Sequence, residues 1–483
     1  MIDALVTGRS LPALQSALDL AEVGLKVMVA GGATHDPELQ AGPGHWPAAR
    51  RDPDGTIAAF MHRVAEPIDG SDAEPQLVAQ PETSVVPAPW LRDRKGAWAP
   101  QPTPQVLGVP AVPLAAETLT LLGGGAATRA YLDRVMPLLT VGKTRLFGVL
   151  VRKRLGSSVL KRLVDPQVYE RYGELANEVE VAIAAPGLNE ALSRAGSLTS
   201  AALAYSDRNV ARETQVRPTG SERELVQALL KKLEWYDVEL REEPVVNLQH
   251  AGDTWNVVLE GGSQVAARAV VADFASGAAQ PEWCSSQASA ELASLRPQHS
   301  RTYASIEIES PSGRGLDVGQ LNLEGQWAVR AERLPGAARA GAARAIAVLA
   351  GPRALTGALP SGSGEAVSAA PEAAADGSRN VLDSSSKSGR SLRAELDWVL
   401  ADTGYRAVAG EVWRVEVHAA PFVAVAERQH AHTLLEAYAE TFPTLLPVGR
   451  ALHGDEEAAG LRHAHRSTVE LRRRLLGLEP EGM

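Results

Sequence analysis

Four residues near the start of the chain have the types and the spacing of a turn that binds a pyrophosphate. In the stretch LVTGRSLPAL, Gly8 takes the first glycine position of the G-x-G-x-x-G pattern, while Ser10 and Ala13 take the second and third. Such a turn binds phosphate oxygens through backbone N–H groups at a helix N-terminus, and its glycines let the backbone come close. The methyl group of Ala13 still allows close packing, the Cβ of Ser10 stands where a phosphate oxygen would approach, and Arg9 could supply charge. The stretch therefore indicates a phosphate-binding turn in which Ser10 weakens the binding of phosphate.

Gly31 occupies a second position at which side-chain chemistry is expected. It follows the apolar run LKVMVA, where dinucleotide-binding units place an acid that binds the ribose hydroxyls. A carboxylate in that role contributes about 1.5–3 kcal/mol as a charged hydrogen-bond partner. The glycine therefore predicts that a dinucleotide is bound less tightly here than by a turn that keeps the acid.

The flanking residues predict the elements that position this turn. Residues 3–7 have the composition of a short buried strand, and apolar residues then recur at helical spacing from Leu11 until Gly24. Residues 25–30 are a second apolar strand. Strand, turn, helix and strand within about thirty residues are the opening βαβ unit of a dinucleotide-binding fold. The sequence therefore predicts an α/β fold with a Rossmann-type domain.

The remaining chain contains helical and strand-like segments. Residues 114–215 are predicted to be mainly helical, and a further helix begins at Ser221, with Glu224 completing a capping box. TWNVVLEG alternates like a half-buried antiparallel strand, and AVVAD at 269–273 is apolar, as a buried parallel strand would be. Further strands are predicted near 302–350 and 410–425, and further helices near 393–404, 430–441 and 456–476. Residues 351–392 are rich in Gly, Ser, Ala and Pro and predict a flexible insertion.

Composition limits the classes of function. The chain has 483 residues, of which 45% are hydrophobic, and this is enough for two or three domains. Its formal net charge of −10 does not favour binding to nucleic acid, which is also negatively charged. The single cysteine, Cys284, excludes an internal disulfide framework and a thiolate zinc cluster.

Targeting signals and metal-ligand spacings are not recognised in the sequence. We see neither a signal peptide nor an apolar run that would span a bilayer, and we expect a cytoplasmic protein. A peripheral membrane contact and the oligomeric state are left open. His430 with His432, and His463 with His465, are two residues apart, which on a helix points the rings away from each other. We therefore expect solvated surface histidines rather than metal ligands.

A collinear series of motifs resembles one flavoenzyme family. Residues 151–203 resemble the central helical segment of the oxygen-dependent protoporphyrinogen and coproporphyrinogen oxidases, within the flavin amine oxidase and phytoene desaturase superfamily. The motifs that carry the resemblance follow the family's order and are Arg154-Leu-Gly156, Val164-Asp-Pro166, Tyr172-Gly173, Pro186 and Gly196-Ser-Leu198. QAGPGHW at 40–46 resembles the family's E-x-G-P stretch, and FPTLLPVGRALHGDEEAAG resembles its C-terminal flavin motif. The resemblance covers most of the chain apart from 351–392.

The resemblance implies a two-domain flavoprotein with FAD bound in an extended conformation. Residues 1–85, 216–300 and 426–483 would form a discontinuous Rossmann-type FAD-binding domain, and residues 86–215 and 301–425 a substrate domain of mixed β-sheet with a helical cap. A bulky hydrophobic substrate such as a tetrapyrrole or a polyene would lie next to the flavin, which performs the hydride chemistry. No catalytic residue is assigned, and the residues implied for FAD are Gly8, Arg9, Ser10, Ala13, Gly31, Gly42, Val246, Gly449, Gly454 and Asp455.

The sequence departs from the family at the cofactor positions. The family's Arg-x-Gly-Gly loop is replaced by the shorter GGATHDPELQA, which precedes Gly42. Three acids, Asp455 to Glu457, follow Gly454 where the family places small neutral residues against the flavin. We interpret these acids as the cap of a solvated helix N-terminus.

Two main functions remain open on the sequence alone. The first is a FAD-dependent oxidoreductase that oxidises a bulky hydrophobic substrate while holding FAD weakly. The second is a non-catalytic homologue that has lost tight FAD binding and acts as a ligand- or protein-binding module, as the erosion of several separate FAD contacts suggests. A third interpretation is that Gly8 and Arg9 hold a smaller phosphate-bearing ligand such as a mononucleotide.

Overall fold

The computed structural model describes residues 1–31, 49–67, 74–85, 89–137, 144–206, 214–274, 295, 297–309, 319–322, 327–333, 345–356 and 392–478. Its strands are β1 Ile2–Thr7, β2 Val27–Ala30, β3 Arg50–Arg51, β4 Pro81–Val85, β5 Trp90–Arg92, β6 Trp98–Pro100, β7 Gln105–Val106, β8 Val109–Pro110, β9 Thr214–Pro218, β10 Glu239–Arg241, β11 Val245–Ala251, β12 Thr254–Leu259, β13 Gln264–Asp273, β14 His299–Ile308, β15 Gly319–Asn322, β16 Trp327–Arg333, β17 Ala345–Leu355, β18 Arg414–Ala419 and β19 Leu445–Val448. Its helices are α1 Leu11–Ala21, α2 Thr56–Ala65, α3 Ala116–Leu122, α4 Gly124–Tyr131, α5 Phe147–Leu155, α6 Ser157–Val159, α7 Asp165–Tyr172, α8 Val181–Ala184, α9 Leu188–Ala195, α10 Leu198–Ser206, α11 Glu222–Trp235, α12 Leu392–Thr403, α13 Val425–Thr441 and α14 Glu457–Leu475. Short 3-10 turns lie at Leu77–Ala79, Leu132–Val135 and Arg450–His453, and a π-helical turn lies at Leu160–Val164.

The chain forms two compact units. The first comprises Met1–Ser84, Gln215–Gln298 and Arg428–Met483. The second comprises Val85–Thr214 and His299–Glu427.

The first unit is built on a sheet with the strand order β10-β2-β1-β13-β12-β11, in which β19 also pairs with β13. The pairing is parallel across β10, β2, β1, β13 and β19. Strand β12 is antiparallel to both of its neighbours, β13 and β11. Because strand side chains alternate, Ala4 and Val6 of β1 pack against α1, α11 and α14, whereas Leu5 packs on the opposite core with Trp255. Burial on both faces explains why the parallel strands are continuously apolar.

The opening βαβ unit and the capping box are confirmed. Helix α1 starts at Leu11 and ends before Gly24, whose φ of +80° stops it. Strand β2 covers the last four of the six residues predicted as a strand. The hydroxyl of Ser221 accepts from the backbone N–H of Glu224, whose carboxylate accepts from the Ser221 N–H. Residues 269–273 lie in β13, buried and parallel to β1, as their composition predicts.

The second unit carries a mixed sheet with the strand order β18-β14-β17-β16-β15-β5-β6. Its core includes Ile306, Val329, Leu349, Leu400 and Trp413, which join the sheet to α12. The described residues of the segment 114–215 are mainly helical, as predicted, but its last two residues, Thr214 and Gln215, begin β9. Strand β17 continues to Leu355, into the segment predicted as an insertion, while 357–391 lie outside the described residues.

Among the residues that the structure describes, no helix is long and apolar enough to cross a bilayer.

Candidate dinucleotide site at the carboxyl ends of the first sheet

The predicted turn lies between β1 and α1, at the carboxyl ends of the parallel strands. Gly8 has a φ of +76° and donates its N–H to the carbonyl of Ala30 on β2 at 2.8 Å. Ser10 is the N-cap of α1, and its hydroxyl accepts from the N–H of Ala13 at 3.4 Å. Ser10 is only 5% exposed. The structure therefore brings together Gly8, Ser10 and Ala13, and the turn has the strand–turn–helix setting of a dinucleotide site.

The carboxylate of Asp273, at the end of β13, is bound inside this turn. Its Oδ2 accepts from the backbone N–H of Ser10 at 3.0 Å, and its Oδ1 accepts from the Ser10 hydroxyl at 2.6 Å. The N–H of Asp273 donates to the hydroxyl of Thr7 at 3.0 Å. A Cβ placed on Gly8 would lie 2.4 Å from Asp273 Oδ2, so this carboxylate needs the glycine beside it. An anion that belongs to the chain thus contacts the N-terminus of α1, where a phosphate would bind.

Sequence reasoning missed Asp273 as a site residue. Its side chain contacts Ser10, which lies 263 positions earlier in the sequence. The available signal was an acid directly at the carboxyl end of a buried parallel strand, the edge at which α/β folds bind ligands.

The backbone conformation at Gly31 would strain any side chain, including that of a ribose-binding acid. Gly31 has a φ of +125°, and a Cβ there would lie 3.1 Å from the backbone nitrogen of Gly8. Its N–H donates to the carbonyl of Arg241, which also accepts from Nη2 of Arg9 at 3.4 Å. The conformation at this position therefore requires glycine.

The predicted cofactor residue Val246 lies on the outer strand β11 of the first sheet. Val246 lies at an irregularity in the pairing of β11 with β12, and its side chain is 47% exposed. Arg241, at the end of the preceding strand, is the residue that the structure places against the turn. Gly42 lies outside the described residues.

The C-terminal motif also lies in the first unit, after β19. Gly449 has a φ of +133°, and a Cβ there would lie 2.1 Å from the carbonyl oxygen of Phe274, the residue after Asp273. The N–H of Phe274 donates to the carbonyl of Val448 at 2.7 Å. Gly454 and Asp455 follow with φ values of +64° and +60°. The motif is therefore held tightly against the end of β13.

Two of the three acids after Gly454 belong to an ionic cluster, so the interpretation as the cap of a solvated helix N-terminus is wrong for Asp455 and Glu457. Glu456 is exposed at the N-cap position of α14, as that interpretation expects. Asp455 Oδ1 lies 3.0 Å from Nε of Arg450, and Glu457 Oε2 lies 3.7 Å from its Nη1 and 3.5 Å from Nε of Arg50. Arg50 also makes two hydrogen bonds of 2.7 Å to Glu222. The acids of Asp455 and Glu457 face arginines rather than water because β3, α11 and the 3-10 turn converge here.

His463 corrects a second expectation, that of a solvated surface. Its ring packs against that of His453 at a centroid distance of 4.8 Å. Burial lowers the pKa of His453 to about 3 and that of His463 to about 4, aided by nearby arginines and histidines. His430, His432 and His465 are exposed, as expected.

No protein-family model and no curated protein matches this sequence. Solved structures match along nearly the whole chain. A protein provisionally assigned as a protoporphyrinogen oxidase, from Exiguobacterium sp. 255-15, superposes with a TM-score of 0.64 and 14% identity, covering 97% of this chain and 99% of its own. Cyclohexylamine oxidase from Brevibacterium oxydans IH-35A gives a TM-score of 0.55 at 12% identity, covering 98% and 99%. Reduced UDP-galactopyranose mutase gives 0.56 at 12%, covering 100% and 97%.

At these identities the likeness shows the fold. The chain has a mixed α/β fold with a parallel-strand sheet, and its structural neighbours are FAD-binding oxidoreductases with a Rossmann-type fold. This confirms the predicted fold class.

The residues at the turn do not fit the pyrophosphate of FAD. The N–H of Ser10 is bound by Asp273, the N–H of Ala13 is bound by the Ser10 hydroxyl, and Pro12 has no N–H. The carboxylate also carries the same charge as a phosphate. FAD could bind in this place only after Asp273 had moved or lost its charge.

Proposed function

We propose that this chain is a non-catalytic homologue, built on the fold of FAD-dependent oxidoreductases, that has lost tight FAD binding and acts as a ligand- or protein-binding module. The observation that carries the proposal is the Asp273 carboxylate bound to Ser10 inside the dinucleotide turn. The conformation of Gly31, which would strain a ribose-binding acid at that position, supports it independently.

The magnitudes of these two features favour loss of the coenzyme. Two unit charges about 4 Å apart at an effective dielectric near 20 repel each other by about 4 kcal/mol. The missing ribose carboxylate adds about 1.5–3 kcal/mol if the contributions are independent. Since about 1.4 kcal/mol is a factor of ten, nanomolar FAD binding would weaken to the micromolar range or beyond.

A second candidate function is FAD-dependent oxidation of a bulky hydrophobic substrate. It is favoured by the backbone of the turn and of the C-terminal motif, because Gly8, Gly449 and Gly454 have positive φ values. The two compact units agree with a separate substrate domain. A tetrapyrrole or a polyene is the substrate class that this function would require.

The absorbance of freshly purified full-length protein distinguishes these functions. We expect no flavin band near 450 nm after gel filtration, and a dissociation constant for added FAD, measured by calorimetry, of about 10 µM or weaker. Protein that retains stoichiometric FAD, reducible by a hydrophobic substrate, would establish the second function and refute the first.

A further inference from the structure

The group that contacts the N-terminus of α1 belongs to the chain itself. The N-terminus of a helix leaves backbone N–H groups unpaired and carries a partial positive charge, which a bound anion stabilises. Helix α1 has no acid of its own in the first turn. Asp273 reaches it from β13 and accepts two hydrogen bonds from its N-cap residue.

We propose that Asp273 is an internal anion that replaces the dinucleotide phosphate at the N-terminus of α1, stabilising the first unit without coenzyme and excluding phosphate-bearing ligands. This role rests on the proposed function, and it assigns the loss of tight FAD binding to one residue, Asp273. It makes Asp273 a determinant of ligand specificity rather than a group that takes part in a reaction.

Three residues of the turn accommodate the Asp273 carboxylate. Gly8 lacks the Cβ that would collide with the carboxylate at 2.4 Å. Ser10, which departs from the glycine pattern, supplies the hydroxyl that donates to Asp273 at 2.6 Å. The same hydroxyl accepts from the N–H of Ala13 at 3.4 Å and so links the carboxylate to the first turn of the helix. The serine is therefore complementary to the aspartate.

The hydrogen bonds also join the central elements of the unit. Asp273 binds Ser10 at the start of α1 through its carboxylate and Thr7 at the end of β1 through its N–H. Ser10 and Thr7 are both buried, so the bonds form away from bulk water. A carboxylate held in this way at a helix N-terminus is stabilising in the manner of an N-cap acid.

The test uses the full-length chain with Asp273→Asn, Asp273→Ser and, as a matched control, Asp253→Asn. Asp253 is an exposed aspartate in the hairpin between β11 and β12 of the same unit. Melting temperature is measured by differential scanning fluorimetry without ligand and with FAD, ADP or inorganic pyrophosphate at 1 mM, and affinities are measured by calorimetry. Asp273→Asn preserves side-chain size, so it answers the question if the serine variant does not fold.

We expect both Asp273 variants to melt about 2–8 °C below the wild type without ligand, because the anionic cap of α1 is lost. Pyrophosphate, ADP or FAD should raise their melting temperature by more than they raise that of the wild type. Their affinity for these ligands should rise at least tenfold, with about a thousandfold as the limit set by the removed repulsion. Asp253→Asn should behave as the wild type.

Three outcomes separate this inference from the proposed function. A wild-type chain that binds FAD in the nanomolar range refutes the proposed function and the inference together. Asp273 variants that gain no affinity for any of the three ligands refute the inference while the proposed function stands. Variants that melt at the wild-type temperature without ligand refute the stabilising role of the carboxylate.

Discussion

Replacing Glu222 with glutamine tests whether the charged residues around the start of α14 form one buried network. Glu222 accepts two hydrogen bonds of 2.7 Å from Arg50, whose Nε lies 3.5 Å from Glu457. Arg450 links Glu457 to Asp455. The side chains of Arg50 and Glu222 are 4% and 6% exposed, so their charges are shielded from water.

The burial of this pair sets the size of the effect. Removing one charge of a buried ion pair leaves the other uncompensated in a medium that solvates it poorly, which costs about 3–5 kcal/mol. For a unit of this size, 1 kcal/mol corresponds to about 2–4 °C, so Glu222→Gln should lower the melting temperature by about 6–20 °C. The double variant Arg50→Met/Glu222→Met should recover part of this loss, because the replaced pair carries no desolvation penalty. The recovery should be incomplete, because Glu457 keeps Arg450 but loses Arg50.

Calorimetric unfolding of the three proteins checks the reasoning, with Glu82→Gln as the control. Glu82 pairs with Arg217 at 3.1 Å, but the two side chains are 50% and 32% exposed. An exposed pair contributes about 0–1 kcal/mol, so this control should shift the melting temperature by less than about 4 °C. If Glu222→Gln unfolds no earlier than Glu82→Gln, the five residues do not form a network that the unit depends on.

Two further predictions concern the same unit. Gly449→Ala should abolish soluble protein or lower the melting temperature by more than about 10 °C, because the added Cβ would lie 2.1 Å from the carbonyl oxygen of Phe274. The control is Gly252→Ala, which tests backbone strain alone, because Gly252 has a φ of +64° and nothing lies near its Cβ. The pKa values of His453 and His463, about 3 and about 4 in the folded chain, lie below the ordinary value of 6.5, so the unfolded chain takes up protons first as the pH falls. The free energy of unfolding should therefore decrease between about pH 6.5 and pH 4, by about 2 kcal/mol for each ring at pH 5. Urea unfolding at pH 7 and pH 5 checks this, and His453→Leu should remove about half of the dependence; an equal dependence in that variant would contradict it.

Predictions that depend on neighbouring residues agree with the structure. The βαβ unit follows from apolar spacing around Leu11 and from a glycine that ends the helix at Gly24. The capping box at Ser221 and Glu224 needs only residues three apart. The two-sided burial of β13 is visible in its continuous apolar run.

Predictions about charged residues failed where the partner is distant in sequence. The local sequence predicts a solvated cap at Glu457, but its partner Arg50 enters from β3, which lies far away in sequence. The spacing of His463 and His465 predicts exposed rings, but His453 from another element packs against the ring of His463. The charge state and burial of a polar side chain depend on what the fold places beside it.

The sequence by itself determined the α/β fold and located the turn at Gly8, because hydrophobic periodicity and glycine positions act over a few residues. Only the tertiary structure decided what the turn contains, since Ser10 and Asp273 lie 263 positions apart and meet only when β1 and β13 pair. A hydrogen-bonded carboxylate at a helix N-terminus is a property of that pairing, and no local pattern encodes it.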